Sequence, residues 1–113
     1  LRLIGEEIKR VIKKYQPEVL AIETLFLNTN HKTVMRVAEA RGVVIYEATL
    51  AGLRVFEASP PQIKIATTGY GRASKDQMIK MVKLLVKIDE NKTSDDELDA
   101  IAIAITALAH IHP

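Results

Sequence analysis

Two short apolar runs separated by a long helical pattern most constrain what this chain can fold into. Val19 to Glu23 (VLAIE) and Leu53 to Ala58 (LRVFEA) each predict a short buried strand. Between them, His31 to about Ala51 carries apolar side chains along one side, which predicts a helix, and Gly52 is placed to act as its C-cap. Strands connected through a helix imply a parallel pair in an α/β sheet.

The rest of the chain is predicted to be helical. Leu3 to Tyr15 has the spacing of an amphipathic helix, which Pro17 ends. Ser59-Pro60-Pro61 starts a short helix, because proline is tolerated at the first helical positions. A loop from Thr67 to Ala73 (TTGYGRA) follows it.

Two capping boxes predict where the last two helices begin. Ser74 with Gln77 starts a helix to about Lys87, and Ser94 with Glu97 starts a final helix to about His110. With 113 residues, the chain is long enough for one domain, residues 1–113. Two strands cannot cover the apolar faces of so many helices, so we expect that strands preceding Leu1 are absent or that a partner completes the sheet.

Composition excludes several classes of protein. With 48% hydrophobic and 27% charged residues, the chain is expected to be a folded globular protein rather than a disordered one. Without cysteine it can form neither a disulfide nor a thiolate metal site, which fits a cytoplasmic location. We see no signal peptide and no membrane-spanning run; the most apolar stretch, Ala100 to Ile111, is interpreted as a buried helix.

Charge is distributed unevenly along the chain, although the net charge is only +2. A basic span lies beside the acidic stretch from Asp89 to Asp99. The basic residues of that span are Lys64, Arg72, Lys75, Lys80, Lys83 and Lys87. Such a neighbourhood suggests a protein that holds phosphates and metal ions together.

Three acidic residues are candidates for chemistry. Asp96 and Asp99 lie three apart at the start of the last helix, so their carboxylates share a face. They either help to start the helix, as acids often do, or bind a cation at the mouth of a buried helix. Glu23 ends the first strand, where ligands collect in open α/β sheets, although a solvated strand-end glutamate is the commoner case. Together, the three could hold a pair of hard divalent ions for phosphodiester hydrolysis.

Several separated motifs resemble the RuvC family of Holliday junction resolvases, in order and in spacing, over essentially the whole chain. They are Ala21 to Phe26 (AIETLF), Glu39 to Val43 (EARGV), Pro61 to Lys64 (PQIK), Gly69 to Lys75 (GYGRASK) and Asp96 to Ala104 (DELDAIAIA). The resemblance implies a ribonuclease H-like fold, here incomplete because the N-terminal strands with the family's first catalytic acid find no counterpart in this chain.

The same resemblance implies a structure-selective endonuclease that nicks a four-way DNA junction as a homodimer, with two Mg²⁺ or Mn²⁺ ions in each active site. The family's dimer interface matches the helix from His31 to Ala51, which carries apolar residues on more than one side. Branch-migration helicase proteins are implied as further partners.

Individual roles carry over by position. Glu23, Asp96 and Asp99 match catalytic, metal-binding acids, and Phe26 matches an aromatic residue that is inserted against bases. Lys64 and Lys75 match basic residues near the DNA, and Arg72 is a weaker phosphate candidate. Each has a plainer alternative: Phe26 as a core residue and the two lysines as solvated surface side chains.

Four functions therefore remain open. The first is a junction-resolving nuclease, and the second is a dimer that binds branched DNA without cutting it, which the missing first acid favours for this chain. The third is another nuclease-fold enzyme, such as a transposase or a YqgF-type resolvase. The fourth, a scaffold with no role on nucleic acid, leaves Glu23, Asp96 and Asp99 unexplained together. The three histidines form no spaced metal motif.

Overall fold

The computed structural model describes residues 1–24, 31–89 and 91–111. Its elements are α1 (Arg2–Tyr15), β1 (Val19–Glu23), α2 (His31–Leu50), β2 (Arg54–Ala58), α3 (Pro60–Thr68), α4 (Lys75–Leu85) and α5 (Asp95–Ile111). All the predicted elements are therefore confirmed, with small changes at their ends. In the described part of the chain, no helix is long and apolar enough to cross a bilayer.

The described residues form one sheet of two strands, β1 and β2. The Arg54 N–H donates to Glu18 O at 3.1 Å, and the Thr24 N–H donates to Ala58 O at 2.9 Å. Early residues thus pair with early ones and late residues with late ones, so the strands are parallel, as predicted. Their carboxyl ends, Glu23 and Ala58, consequently lie at the same edge.

The chain divides into two compact units. The first contains residues 1–20 and the described part of 25–56, and the second contains residues 21–24 and the described part of 57–113. The prediction of a single domain over residues 1–113 stays a prediction.

In the first unit, α1 packs on α2. Gly5 is the buried residue of α1 and faces Val43 of α2, where even a methyl group would be in ordinary van der Waals contact. Lys9 and Glu47 join the two helices through an ion pair of 3.8 Å. Gly52 ends α2 in the left-handed region at φ 84°, and the Leu53 N–H donates back to Ala48 O, a Schellman arrangement.

In the second unit, α3, α4 and α5 pack against one another. The buried core contains Ala58, Ile63, Thr67, Ala73, Met78, Val82, Leu98, Ala102, Thr106 and Ala107. The two buried threonines are satisfied within their helices, because the Thr67 hydroxyl donates to Ile63 O and the Thr106 hydroxyl to Ala102 O, both at 2.8 Å.

The predicted loop from Thr67 was wrong at its start. Thr67 and Thr68 belong to the last turn of α3, and the Thr68 hydroxyl donates to Lys64 O at 2.7 Å. Threonine hydroxyls can bond to carbonyls one turn back, so these residues do not need to leave the helix. The helix ends instead at Gly69, which has φ 81°.

The final helix is less buried than predicted. Its buried residues, Leu98, Ala102, Thr106 and Ala107, follow a helical period and form one face. Leu108 is 60% exposed, so the opposite face is open in the described structure. The run of alanine and isoleucine shows an apolar helix, but composition alone does not show how many of its sides are covered.

Candidate active site

The carboxylate of Glu23 stands at the edge of the sheet where both parallel strands end. Glu23 is the last residue of β1 and is exposed. The backbone next to it is fixed by the hydrogen bond from Thr24 N–H to Ala58 O. This is the strand-end position that the sequence predicted, and it presents the side chain beyond the sheet.

Helix α3 begins at the same edge and carries Lys64. Ser59 is its N-cap, and a capping box forms because Ser59 accepts from the Gln62 N–H while Gln62 Oε1 accepts from the Ser59 N–H at 2.8 Å. Two prolines at the first positions fit this start. Backbone N–H groups there have no intrahelical acceptor, so a proline, which lacks the N–H, costs no helix hydrogen bond. Lys64 lies one turn further on and is half-buried.

Lys75 and Asp99 form an ion pair between the starts of two helices. Lys75 is the first residue of α4, behind the capping box of Ser74 and Gln77. Its Nζ donates to Oδ2 of Asp99 on α5 at 3.2 Å, and the two side chains are 58% and 36% exposed. The sequence predicted both residues but not their pairing.

This pairing sets the electrostatics of the site. The hydrogen bond to Asp99, and then the charge of the same carboxylate, raise the pKa of Lys75 above its ordinary value. The charges of Asp95 and Asp96 act in the same direction. The ammonium is therefore held in its charged form beside the acidic start of α5.

A cavity of about 270 Å³ brings most of the predicted site together. It is lined by Glu23, Pro60, Ile63, Lys64, Lys75, Met78, Asp99 and Ile103. Two carboxylates and two ammonium groups from β1, α3, α4 and α5 thus face one space, above an apolar wall that the sequence reasoning missed. Helical periodicity puts Ile63 and Met78 on buried faces, but it does not tell which cavity those faces border.

Two of the other predicted residues, Asp96 and Arg72, are described but are not among the residues that line the cavity. Asp96 is exposed in the first turn of α5 and is not among the described residues that line the cavity. Arg72 is exposed in the loop between α3 and α4. Phe26 falls outside the described residues. His110 hydrogen-bonds through Nδ1 to Thr106 O at 2.8 Å, a local contact within α5.

The two carboxylates fit a divalent cation. Mg²⁺ is commonly held by one or two protein carboxylates together with waters and substrate phosphates, and Glu23 and Asp99 supply two to the same cavity. Asp99 already holds a cationic group, the Lys75 ammonium. Within residues 1–24, 31–89 and 91–111, no three carboxylate or histidine side chains lie close enough to share an ion. The described residues therefore bring no third acidic or histidine side chain close enough to share an ion with Glu23 and Asp99.

The edge also contains one unsatisfied polar atom. The Thr24 hydroxyl is buried and has no hydrogen-bond partner among the described residues. A buried hydroxyl without a partner is costly. Next to Glu23, it indicates that the described residues leave this edge of the site incomplete.

Comparison with known proteins settles the family. The family model described as crossover junction endodeoxyribonuclease RuvC matches residues 1–107. This chain belongs to the RuvC family. The curated RuvC of Caldanaerobacter subterraneus subsp. tengcongensis is 47% identical over 105 residues, which cover 93% of this chain and 62% of that protein. The RuvC of Brevibacillus brevis is 44% identical over 106 residues, covering 94% and 64%.

Solved RuvC structures show the same fold. The structure described as T. thermophilus RuvC in complex with Holliday junction substrate matches with a TM-score of 0.88 and 29% identity, over 96% of this chain and 66% of that one. A second Thermus thermophilus RuvC structure matches with a TM-score of 0.84 and 30% identity. The fold of this RuvC-family chain is therefore α/β and ribonuclease H-like. The chain spans less than two thirds of the length of the curated relatives named above.

Proposed function

We propose that this chain carries the active face of a Holliday junction resolvase, a structure-selective DNA endonuclease that nicks paired strands by metal-dependent phosphodiester hydrolysis. The observation that carries the proposal is the cavity in which Glu23, Asp99, Lys64 and Lys75 converge. Family membership supports it, as does the Thermus structure, which is described as a complex of that protein with a Holliday junction substrate.

In this proposal Glu23 and Asp99 are metal ligands, and Asp96, one turn before Asp99, is a third acid at the same helix start. The metal is Mg²⁺, with Mn²⁺ as a substitute, and the family resemblance predicts two ions in each site. Bound there, such an ion would polarise the phosphate and stabilise developing charge. Lys64 and Lys75 would hold the scissile strand by its phosphates, which lysine binds as a point charge.

Two further DNA contacts are proposed, at Arg72 and at Phe26. Arg72 is exposed on the loop before α4 and is proposed to contact a phosphate. Phe26, outside the described residues, is proposed to stack on a base at the crossover. Phe26→Ala should therefore impair cleavage more than binding, which a gel shift and a nicking assay on the same junction would separate.

Partners are proposed on a similar basis. Met35, Val37, Tyr46 and Leu50 of α2 are exposed apolar side chains, which supports the predicted homodimer through this helix. Branch-migration helicase proteins stay a prediction from the family resemblance. A cytoplasmic location also stays a prediction, resting on the absence of cysteine.

A second function, junction binding without cleavage, is favoured by one observation. The described residues bring only two acids, Glu23 and Asp99, to the cavity and form no three-ligand group. A chain with its basic residues in place but an incomplete ligand set would bind branched DNA and leave it intact.

The experiment is a paired gel shift and nicking assay with this chain, on a synthetic four-way junction and on linear duplex of the same sequence. Both are run with Mg²⁺ and with EDTA. Symmetric Mg²⁺-dependent nicks in the junction would support the resolvase. Selective binding without nicks would support the binding module. Equal affinity for the junction and for linear duplex would contradict both.

A further inference from the structure

The cavity of the candidate site already contains a cation, and it is part of the chain. Lys75 Nζ lies 3.2 Å from Oδ2 of Asp99, and both side chains line the cavity with Glu23. The two residues come from different helices, so packing rather than sequence neighbourhood brings them together.

Lys75 occupies a position at which a lysine is otherwise unfavourable. It is the first residue of α4, where the N–H groups of the helix end carry partial positive charge. The carboxylate of Asp99 offsets that repulsion. An ammonium placed against the helix dipole and held by one carboxylate is a group that a stronger cation can replace.

We propose that Lys75 is a tethered counter-ion of Asp99 that a divalent cation displaces when it binds. The inference rests on the proposed role of Asp99 as a metal ligand. Without a metal ion, the ammonium neutralises the carboxylate. When a metal ion is bound, the Asp99 carboxylate binds that ion instead of the Lys75 ammonium. Lys75 is then free within the cavity to bind a DNA phosphate. Lys75 thus acts as a positioning residue that couples occupation of the metal site to capture of the strand.

The chemistry of lysine suits such an exchange. Its ammonium is a point charge on a flexible stem, and the Lys75 side chain is 58% exposed, so water can solvate it when the carboxylate leaves. Arginine has a planar fork that holds a carboxylate through two parallel hydrogen bonds, so it would release Asp99 less readily. The identity of this residue should therefore tune the affinity of the site for metal.

The counter-ion role of Lys75 is tested by titrating the protein with Mn²⁺ in the absence of DNA. The electron paramagnetic resonance signal of free Mn²⁺ measures how much of the ion is bound. Lys75→Met removes the competitor and should tighten binding by roughly 1.5-fold to fivefold, the range expected for an exposed ion pair. Lys75→Arg should weaken it. Lys64→Met is the matched control, because Lys64 lines the same cavity but is not in the Asp99 ion pair, and it should change binding less than Lys75→Met.

A second readout separates displacement from simple repulsion. On titration with Mg²⁺, the ammonium signal of Lys75 in nitrogen-15 spectra should shift with the midpoint of metal binding. The signal of Lys64 should follow that midpoint with a smaller change. A Lys75 signal that does not move, or equal Mn²⁺ affinities for the wild-type chain, Lys75→Met and Lys75→Arg, would overturn the inference.

The same titration tests the site itself. If Glu23→Gln and Asp99→Asn weaken Mn²⁺ binding while the Lys75 variants do not, only the counter-ion role fails. If neither acid variant changes Mn²⁺ binding, the proposed metal site is wrong, and the counter-ion role falls with it.

Discussion

At the scale of single residues, the site depends on two carboxylates, and the packing of the strands and helices determines which side chains lie next to them. Glu23 has its place because it ends β1, and Asp99 because it lies one turn into α5. Asp96 shares a helix with Asp99 but does not line the cavity with it. Residues three apart on a helix are neighbours, yet they lie about 60° apart around the axis, which is enough to turn one of them away.

Asp99→Asn is the sharpest test at this scale. It removes a charged ligand and keeps the shape of the side chain, so Mg²⁺-dependent nicking should fall by at least about a hundredfold, since a metal contributes several kcal/mol to such reactions. Junction binding should stay near that of the wild-type chain. Asp76→Asn, an acid in the first turn of α4, is the control and should nick normally. Undiminished nicking by the Asp99 variant would contradict the assignment.

An ion pair on α1, in the first unit, gives a second prediction at this scale. Arg10 donates to Glu7 from Nε at 3.0 Å, and this hydrogen bond lowers the pKa of Glu7 below its ordinary value of 4.5. Because the folded-state pKa is depressed, the pair stabilises the fold above pH 4.5, and this contribution is lost as the pH falls through the lower, folded value. Arg10→Gln should raise the pKa of Glu7 back toward 4.5 in a carbon-13 titration. An unchanged midpoint would show that the pair does not form in solution.

At the scale of elements, three capping boxes decide where the helices of the second unit begin. Ser59, Ser74 and Ser94 each accept from the backbone N–H three residues on, and Gln62, Gln77 and Glu97 bond back. The motif is local, so the starts of α4 and α5 were predictable from sequence. The box at Ser59 has the same spacing but was not predicted, because only the prolines were used to place that start.

The N-cap of α4 should contribute to the stability of the folded chain. Ser74→Ala removes the acceptor for the Gln77 N–H and should lower the free energy of unfolding by about 1 kcal/mol. Ser74→Asp keeps an accepting oxygen and should be destabilised much less. Urea denaturation measures both. Equal destabilisation of the two variants would mean that the cap hydrogen bond is not what stabilises this helix start.

At the scale of the whole molecule, the described residues proposed to contact DNA are basic side chains on two helices and a loop. Lys64 and Lys75 line the cavity, and Arg72 lies on the loop that precedes α4. The net charge of +2 is too small to make this apparent. Placement of the charges, rather than their sum, therefore supports a nucleic-acid interface.

Salt should weaken junction binding steeply, because each neutralised phosphate releases counterions. Each chain that carries Lys64→Gln should neutralise one phosphate fewer. The slope of log affinity against log salt concentration should therefore become shallower by about one for each bound chain. Lys13→Gln, at the exposed end of α1, is the control and should leave the slope unchanged. Fluorescence anisotropy over a range of salt concentrations measures both. A Lys64 slope equal to that of the wild-type chain would exclude Lys64 as a phosphate-binding residue.

The sequence by itself determined the order of helices and strands, the parallel pairing and the ends of most elements, because periodicity, caps and glycine act over a few residues. It also identified Glu23, Lys64, Lys75 and Asp99 as candidates. Only the tertiary structure decided that these four share a cavity, that Lys75 pairs with Asp99 and that Asp96 stays outside. It likewise decided that one face of α5 is open. Periodicity places a side chain on a face of its own helix, but which element covers that face depends on contacts between residues far apart in the chain.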